Sequence, residues 1–80
     1  MAHIVLATSL LWPEPTSDAP LREALAVSDH TSVCVPWNSA DQSAFQSADL
    51  ILLRSCWDYH EAPDAFLAWL ESLAPERVRN

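Results

Sequence analysis

Eighty residues suffice for one small domain, and a chain of this size buries only about 60–65% of the surface it exposes when unfolded. Half of the residues are hydrophobic and four are Trp, a composition that separates the chain from disordered sequences. Eleven carboxylates against four Arg, with no Lys, leave a formal net charge of −7, which argues against nucleic acid and anionic membrane surfaces as partners.

Residues 3–8 form a continuous apolar run with β-branched members, the pattern of a strand covered on both faces. Pro13 and Pro15 keep the following segment out of regular structure. Ser17 or Asp18 is then placed to cap a helix with Pro20 in its first turn. Leu21, Ala24 and Leu25 share one face of that helix, which ends near Ser28 and Asp29. With no glycine in the chain, Asp29 or His30 is expected to take the left-handed position that closes the helix.

Residues 32–36 read as a second short strand, closed by Pro36, Trp37 and Asn38. Residues 39–48 are small and polar around Phe45, which fits a short irregular or one-turn helical crossover anchored by that ring. Residues 50–53 form a third strand. Pro63 opens a second main helix, in which Phe66, Leu70 and Leu73 share a face and Trp69 borders it. Glu61 and Asp64 at its start complement the helix dipole. Pro75 marks its end, and residues 76–80 begin a fourth strand.

This alternation predicts an α/β fold: a small three-layer, open, mostly parallel sheet of three or four strands with two main helices. In such sheets the carboxyl ends of the strands share one edge, and ligands bind in the crevice there. Trp12, Trp37 and Trp57 each follow a predicted strand and are expected at that edge, as a pocket wall, a docking surface or packing, whereas Trp69 is core.

The strongest functional signal lies between Ala48 and His60. An apolar run long enough for one strand empties into Arg54, Asp58, Tyr59 and His60, side chains that are costly to bury. No Gly, Asn or Pro occurs between Asp49 and Ala62, so turn chemistry does not account for the cluster, and a site is expected. The plainer alternatives are a polar surface loop, an Arg54 paired with Asp49 or Asp58, and an Asp58 that serves as a cap or turn former. Cys56, Asp58 and His60 alternate in the manner of ligands, with Cys34 or His30 as further donors, yet strong zinc signals pair two Cys/His units, and no metal site is expected. A Cys56–His60 nucleophile pair lacks an evident orienting group and oxyanion hole. His3 and His30 read as surface residues.

The absence of glycine excludes a Gly-rich phosphate loop, and with no Lys present the chain has no recognisable nucleotide-phosphate site. No apolar run approaches the roughly 18 residues of a membrane span. No early Lys or Arg marks a signal peptide, so the chain reads as cytoplasmic and Cys34 and Cys56 as reduced thiols.

The residues carry a family resemblance. The segment 3–8, the Val35, Pro36, Trp37 end of the second strand, residues 48–60, the helix residues 66–71 and the closing Val78, Arg79, Asn80 together resemble the N-terminal, pre-ATP-grasp domain of bacterial ATP-grasp proteins related to glutathione synthetase. The specific part is Arg54, Ser55, Trp57, Asp58, Tyr59 and His60 with the Phe66, Leu67, Trp69, Leu70 helix that follows. The chain departs from that pattern in having no Gly after the first helix and Cys56 at a position where a small hydroxyl residue is common.

The resemblance implies a Rossmann-like half-domain, residues 1–80 being a single truncated domain of a longer carboxylate–amine (C–N) ligase. In such enzymes ATP and Mg²⁺ phosphorylate a carboxylate, and an amine attacks the acyl phosphate. The first domain shapes the substrate side of the cleft, and the ATP-binding domains, absent here, supply the lysines, glycine-rich flap and metal ligands. By the same resemblance Arg54, Ser55, Trp57, Asp58 and Tyr59 would bind a small-molecule acid or amine, Arg54 as a bidentate fork on a carboxylate and Asp58 on an amine. No catalytic, cofactor-binding or metal-binding residue is expected in the chain itself. The rival expectation is a stand-alone α/β interaction or self-association module, in which Trp12, Trp37 and Trp57 or an unpaired sheet edge support a homo-oligomer.

Overall fold

In the computed structural model, which describes residues 2–10, 18–54, 56 and 60–79, four strands alternate with three α-helices. The order is β1 (His3–Thr8), α1 (Ala19–Val27), β2 (Thr31–Pro36), α2 (Ser43–Ser47), β3 (Leu50–Leu53), α3 (Pro63–Glu71), a 3-10 turn at Pro75–Arg77 and β4 (Val78–Arg79). The strands form one sheet in the order β2-β1-β3-β4, every pair parallel.

The apolar run of residues 3–8 becomes β1 because it is the strand with β2 on one side and β3 on the other. Val5, Leu6 and Ala7 are fully buried, as a strand covered on both faces requires. Its ladder extends past both ends: Thr31 N donates to Ala2 O at 2.9 Å, and Trp37 N donates to Thr8 O at 2.8 Å.

Strand alternation sorts the core into two faces. Val5, Val33 and Ile51 stand in register, as do Ala7, Val35 and Leu53, and these residues belong to the cluster that Phe45 of α2 and Trp69 of α3 close. On the opposite face Ile4, Ser32 and Leu50 stand in register, and Arg22 of α1 reaches Ser32 Oγ at 3.4 Å. The sheet therefore has α1 on one side and α2 with α3 on the other. Right-handed crossovers demand this, because the β1–β2 connection runs one way along the sheet and the later ones run back.

The α2–α3 face is built from aromatic rings. Trp37 meets Phe66 edge-on with centroids 5.0 Å apart, and Phe45 meets Trp69 edge-on at 5.1 Å, the geometry that ring quadrupoles favour. Trp69 and Phe45 are core, as their spacing predicts. Of the three roles expected for Trp37, packing is the one it takes: it is 4% exposed and sits inside the cluster, so it forms neither a pocket wall nor a docking surface at the strand ends. Its backbone continues the β1 ladder, which leaves the ring to pack against α3. Trp12 and Trp57 lie outside the described residues.

Local chemistry explains the remaining joints. Asp29 adopts φ 67°, the left-handed position that glycine would take, and Asp is among the few residues that tolerate it. Pro20 and Pro63 occupy first turns, where a missing N–H is harmless. Asp64 falls in the first turn of α3, as expected. Among the described residues no helix is long and apolar enough to cross a membrane.

A candidate ligand crevice at the carboxyl edge

Between β1 and β3 the chain changes direction: the connection leaving β1 runs to β2, and the one leaving β3 runs to β4. This is the topological switch point of an open parallel sheet, the place outside the strand ends where such folds bind ligands. The carboxyl ends meeting there carry Thr8, the last residue of β1, and Ser9 after it, both fully buried, and Arg54, the residue after β3. Arg54 N donates to Ala7 O at 3.2 Å, which fixes its Cα beside the end of β1.

The Arg54 side chain is held by a residue from another element. Its Nε donates to Asp18 Oδ1 at 3.0 Å, across 36 positions of sequence. Asp18 is only 1% exposed, whereas the Arg54 side chain is 44% exposed. Arg54 therefore pairs with Asp18 and not with Asp49, whose Oδ2 accepts from His3 N at 2.8 Å at the opposite end of the sheet. The expected helix-cap role of Asp18 is likewise corrected. Asp18 stands at the N-cap position of α1 with φ −92° and ψ −8°, a right-handed helical conformation, and its carboxylate makes no capping bond. Capping needs an extended residue whose side chain folds back on its own helix; Asp18 faces Arg54 instead.

Both members of this pair keep open hydrogen-bonding groups among the described residues. Asp18 Oδ2 is buried with no hydrogen-bond partner, and neither Nη of Arg54 has an acceptor. A guanidinium tethered through Nε keeps the Nη side of its fork for an oxyanion, and its planarity suits a carboxylate or phosphate. Of the other residues expected to line the cleft, Ser55, Trp57, Asp58 and Tyr59 lie outside the described residues.

The remaining reactive side chains belong to packing. Cys56 is buried in the aromatic cluster, and its thiol donates to Ala7 O at 3.4 Å, which suits a packing residue better than an exposed nucleophile. Cys34 pairs in register with Leu6 and so lies on the α1 face, leaving the sheet between the two thiols. His30 precedes β2, whereas Cys56 follows β3; at about 3.3 Å per residue a six-residue strand keeps such ends apart, so His30 is no co-ligand of Cys56. His30 Nδ1 accepts from Ala2 N at 3.0 Å, and His3 Nδ1 lies 2.8 Å from Thr31 Oγ1, so both rings fasten the amino edge. Among the described residues no group of three or more metal-ligating side chains gathers.

Away from the crevice, an open groove of about 530 Å³ runs along the outer edge of β2, between Arg22 and Glu23 of α1 and His30 and Ser32. Arg22 Nη2 donates to Ser32 O there at 3.3 Å. In the β1–β2 register the odd residues of β2 face β1, so this carbonyl belongs to the strand's open edge.

Residues 4–80 match the family model described as the N-terminal domain of D-cycloserine synthetase DcsG. The chain belongs to that family. No curated protein and no solved structure gave a significant match. The expectation of a synthetase N-terminal domain thus holds at the level of a DcsG-type N-terminal domain. Sequence reasoning singled out Arg54 but missed Asp18, whose neighbours Ala19 and Pro20 read as an ordinary helix start; no local signal announces a partner 36 residues away.

Proposed function

We propose that the chain is the substrate-side N-terminal domain of an ATP-grasp carboxylate–amine ligase related to glutathione synthetase, and that it does not catalyse the reaction alone. The observation that carries this reading is the placement of a tethered, half-exposed Arg54 guanidinium at the switch point of a domain whose family is the N-terminal part of a synthetase. In this reading Arg54 takes the carboxylate of a small acid, and the neighbouring residues Ser55, Trp57, Asp58 and Tyr59 complete that side of the cleft.

The residues of the chain do not fit ATP and Mg²⁺. There is no Lys and no Gly, and no described cluster of carboxylates stands ready for a cation. In this reading the nucleotide and its metal are held by domains outside the 80 residues, and the phosphoryl transfer takes place there. What this chain contributes is orientation: a fixed cation that holds the acid while the reacting group is presented elsewhere.

The coding DNA beyond the Asn80 codon tests the reading. An open frame that continues into lysines, a glycine-rich flap and late acidic metal ligands is the expected result. A stop codon with no ATP-binding subunit encoded alongside overturns it and turns attention to a stand-alone interaction module. ATP-dependent ligation by the 80-residue chain by itself would overturn the non-catalytic assignment.

A further inference from the structure

We propose that Asp18 is a positioning residue for Arg54: its buried carboxylate clamps Nε so that the Nη fork is preset for a two-point contact with an oxyanion in the β1–β3 crevice. The inference deepens the ligase reading and rests on it only for the identity of the anion.

The pair is built in a way that stability alone does not explain. A stabilising buried carboxylate satisfies both oxygens, yet Asp18 Oδ2 has no partner among the described residues while the residue is 1% exposed. An aspartate at the first position of a helix usually caps it; this one makes no capping bond and directs Oδ1 to Arg54 at 3.0 Å. The bond goes to Nε, the one donor of the guanidinium that leaves both Nη groups available. The base of the arginine is fixed as well, through Arg54 N and Ala7 O at 3.2 Å. With base and Nε both held, the rotation left to the head group is small, and an incoming anion need not order a long flexible side chain.

The pair is also asymmetric, which makes the proposal separable from a plain structural salt bridge. Removing the charge of Asp18 leaves Arg54 in contact with water, because that side chain is 44% exposed. A structural bridge predicts that Asp18→Asn melts at lower temperature and that anion binding is unaltered. Positioning predicts the reverse.

The experiment titrates acetate, a minimal carboxylate, into the 80-residue chain and follows the Arg54 side-chain ¹⁵N resonances, with thermal melts of each variant. Acetate should shift Arg54 saturably in the natural sequence. Asp18→Asn should weaken acetate by about three- to tenfold, the expected loss when one long side chain must be ordered on binding, while its melting temperature holds or rises. Asp18→Glu, which restores the carboxylate, should recover part of the affinity. Arg54→Lys keeps the charge but lacks the Nε bond and the fork; followed through the backbone amide of position 54, it should show no saturable response to acetate. Unchanged acetate affinity in folded Asp18→Asn, or no response of Arg54 in the natural sequence, overturns the proposal. If Asp18→Asn does not fold, solvent exchange of Nε–H decides: slower for Arg54 than for exposed Arg77 supports the clamp, and equal rates overturn it. The downstream coding sequence tests the ligase reading alone and these titrations test the pair alone, so either can fail without the other.

Discussion

Gln42 joins the two helices of the aromatic face, and Gln42→Leu should cost this chain a large part of its stability. Its Oε1 accepts from Trp69 Nε1 at 2.8 Å, while its Nε2 donates to Trp37 O at 3.1 Å and Ser39 O at 2.7 Å. Trp69 is 9% exposed, so leucine strands an indole N–H where water scarcely reaches, at about 1–3 kcal/mol. The Trp37 and Ser39 carbonyls lose the same donor, which adds about 0.5 kcal/mol each. The total loss is about 2–4 kcal/mol, against a stability of about 4–12 kcal/mol for a domain of this length. At about 4–8 °C per kcal/mol the melting temperature should fall by about 10–30 °C.

Urea unfolding followed by far-ultraviolet circular dichroism measures the loss directly, and Trp69→Phe supplies the second arm of a double-mutant cycle. If the Gln42–Trp69 bond accounts for most of the loss, the pair of substitutions should be less damaging than the two singles added, with a coupling of about 1–2 kcal/mol. A Gln42→Leu chain within about 0.5 kcal/mol of the natural one, or a cycle with no coupling, refutes the assignment.

Asp29→Gly should raise the melting temperature, gaining about 0.5–1 kcal/mol by relieving a non-glycine residue at φ 67°; a loss of stability in a thermal melt counts against strain at that joint. Arg22→Ala uncovers the Ser32 carbonyl on the edge of β2 and should promote concentration-dependent self-association in sedimentation velocity, with stability changed by no more than about 0.5 kcal/mol; a strictly monomeric variant would show that this guanidinium does not guard the edge. The Asp41 carboxyl should titrate below its ordinary value of 3.8, because the backbone N–H of Ser43 donates to it at 2.9 Å and the Ser43 side chain adds a second bond. A lowered folded value means that its contribution is fully present above the ordinary value and fades as pH falls through the lowered one. A carboxyl-carbon titration by NMR checks the value, and Asp41→Asn should flatten the acid limb of the stability curve.

The parts of the fold that were readable from sequence are those set by local patterns. β1 and β3 are apolar runs bounded by polar residues, α3 is opened by Pro63, and the lack of glycine left Asp29 or His30 for the left-handed position, which Asp29 takes. Phe45 was legible as an anchor because it is the one large apolar residue between Trp37 and Leu50. The site was readable only in half. Arg54 stands out because a charge directly after a buried strand is unusual, but its partner lies beyond a connection rich in proline, and nearer carboxylates at Asp49 and Asp58 drew the pairing. Asp49 is excluded by the sheet itself, since it precedes β3 and Arg54 follows it. From sequence, Trp37 stays open between a pocket wall, a docking surface and packing, and only the register decides for packing: once its backbone extends the ladder the side-chain direction is set by strand alternation, and the ring turns toward Phe66 and Trp69.

A buried carboxylate with one oxygen unpartnered among the described residues is the kind of local inconsistency that a stability-driven sequence removes. A polar group left unmatched in the interior costs about 1–3 kcal/mol, a large fraction of what a domain of this length has in reserve. Leucine or asparagine at position 18 avoids that charge, and serine would cap α1 outright. Aspartate makes sense there if the chain gains from holding Arg54 more than it loses in packing, and that gain can only be realised when something occupies the Nη side of the fork. The same logic explains why the cation is arginine and stands half in water: a fully buried pair would satisfy itself and offer nothing to a ligand, whereas a free surface arginine would have to be ordered by whatever it binds. One partner sunk to 1% exposure and the other left at 44% is the arrangement that keeps a charge both fixed and available.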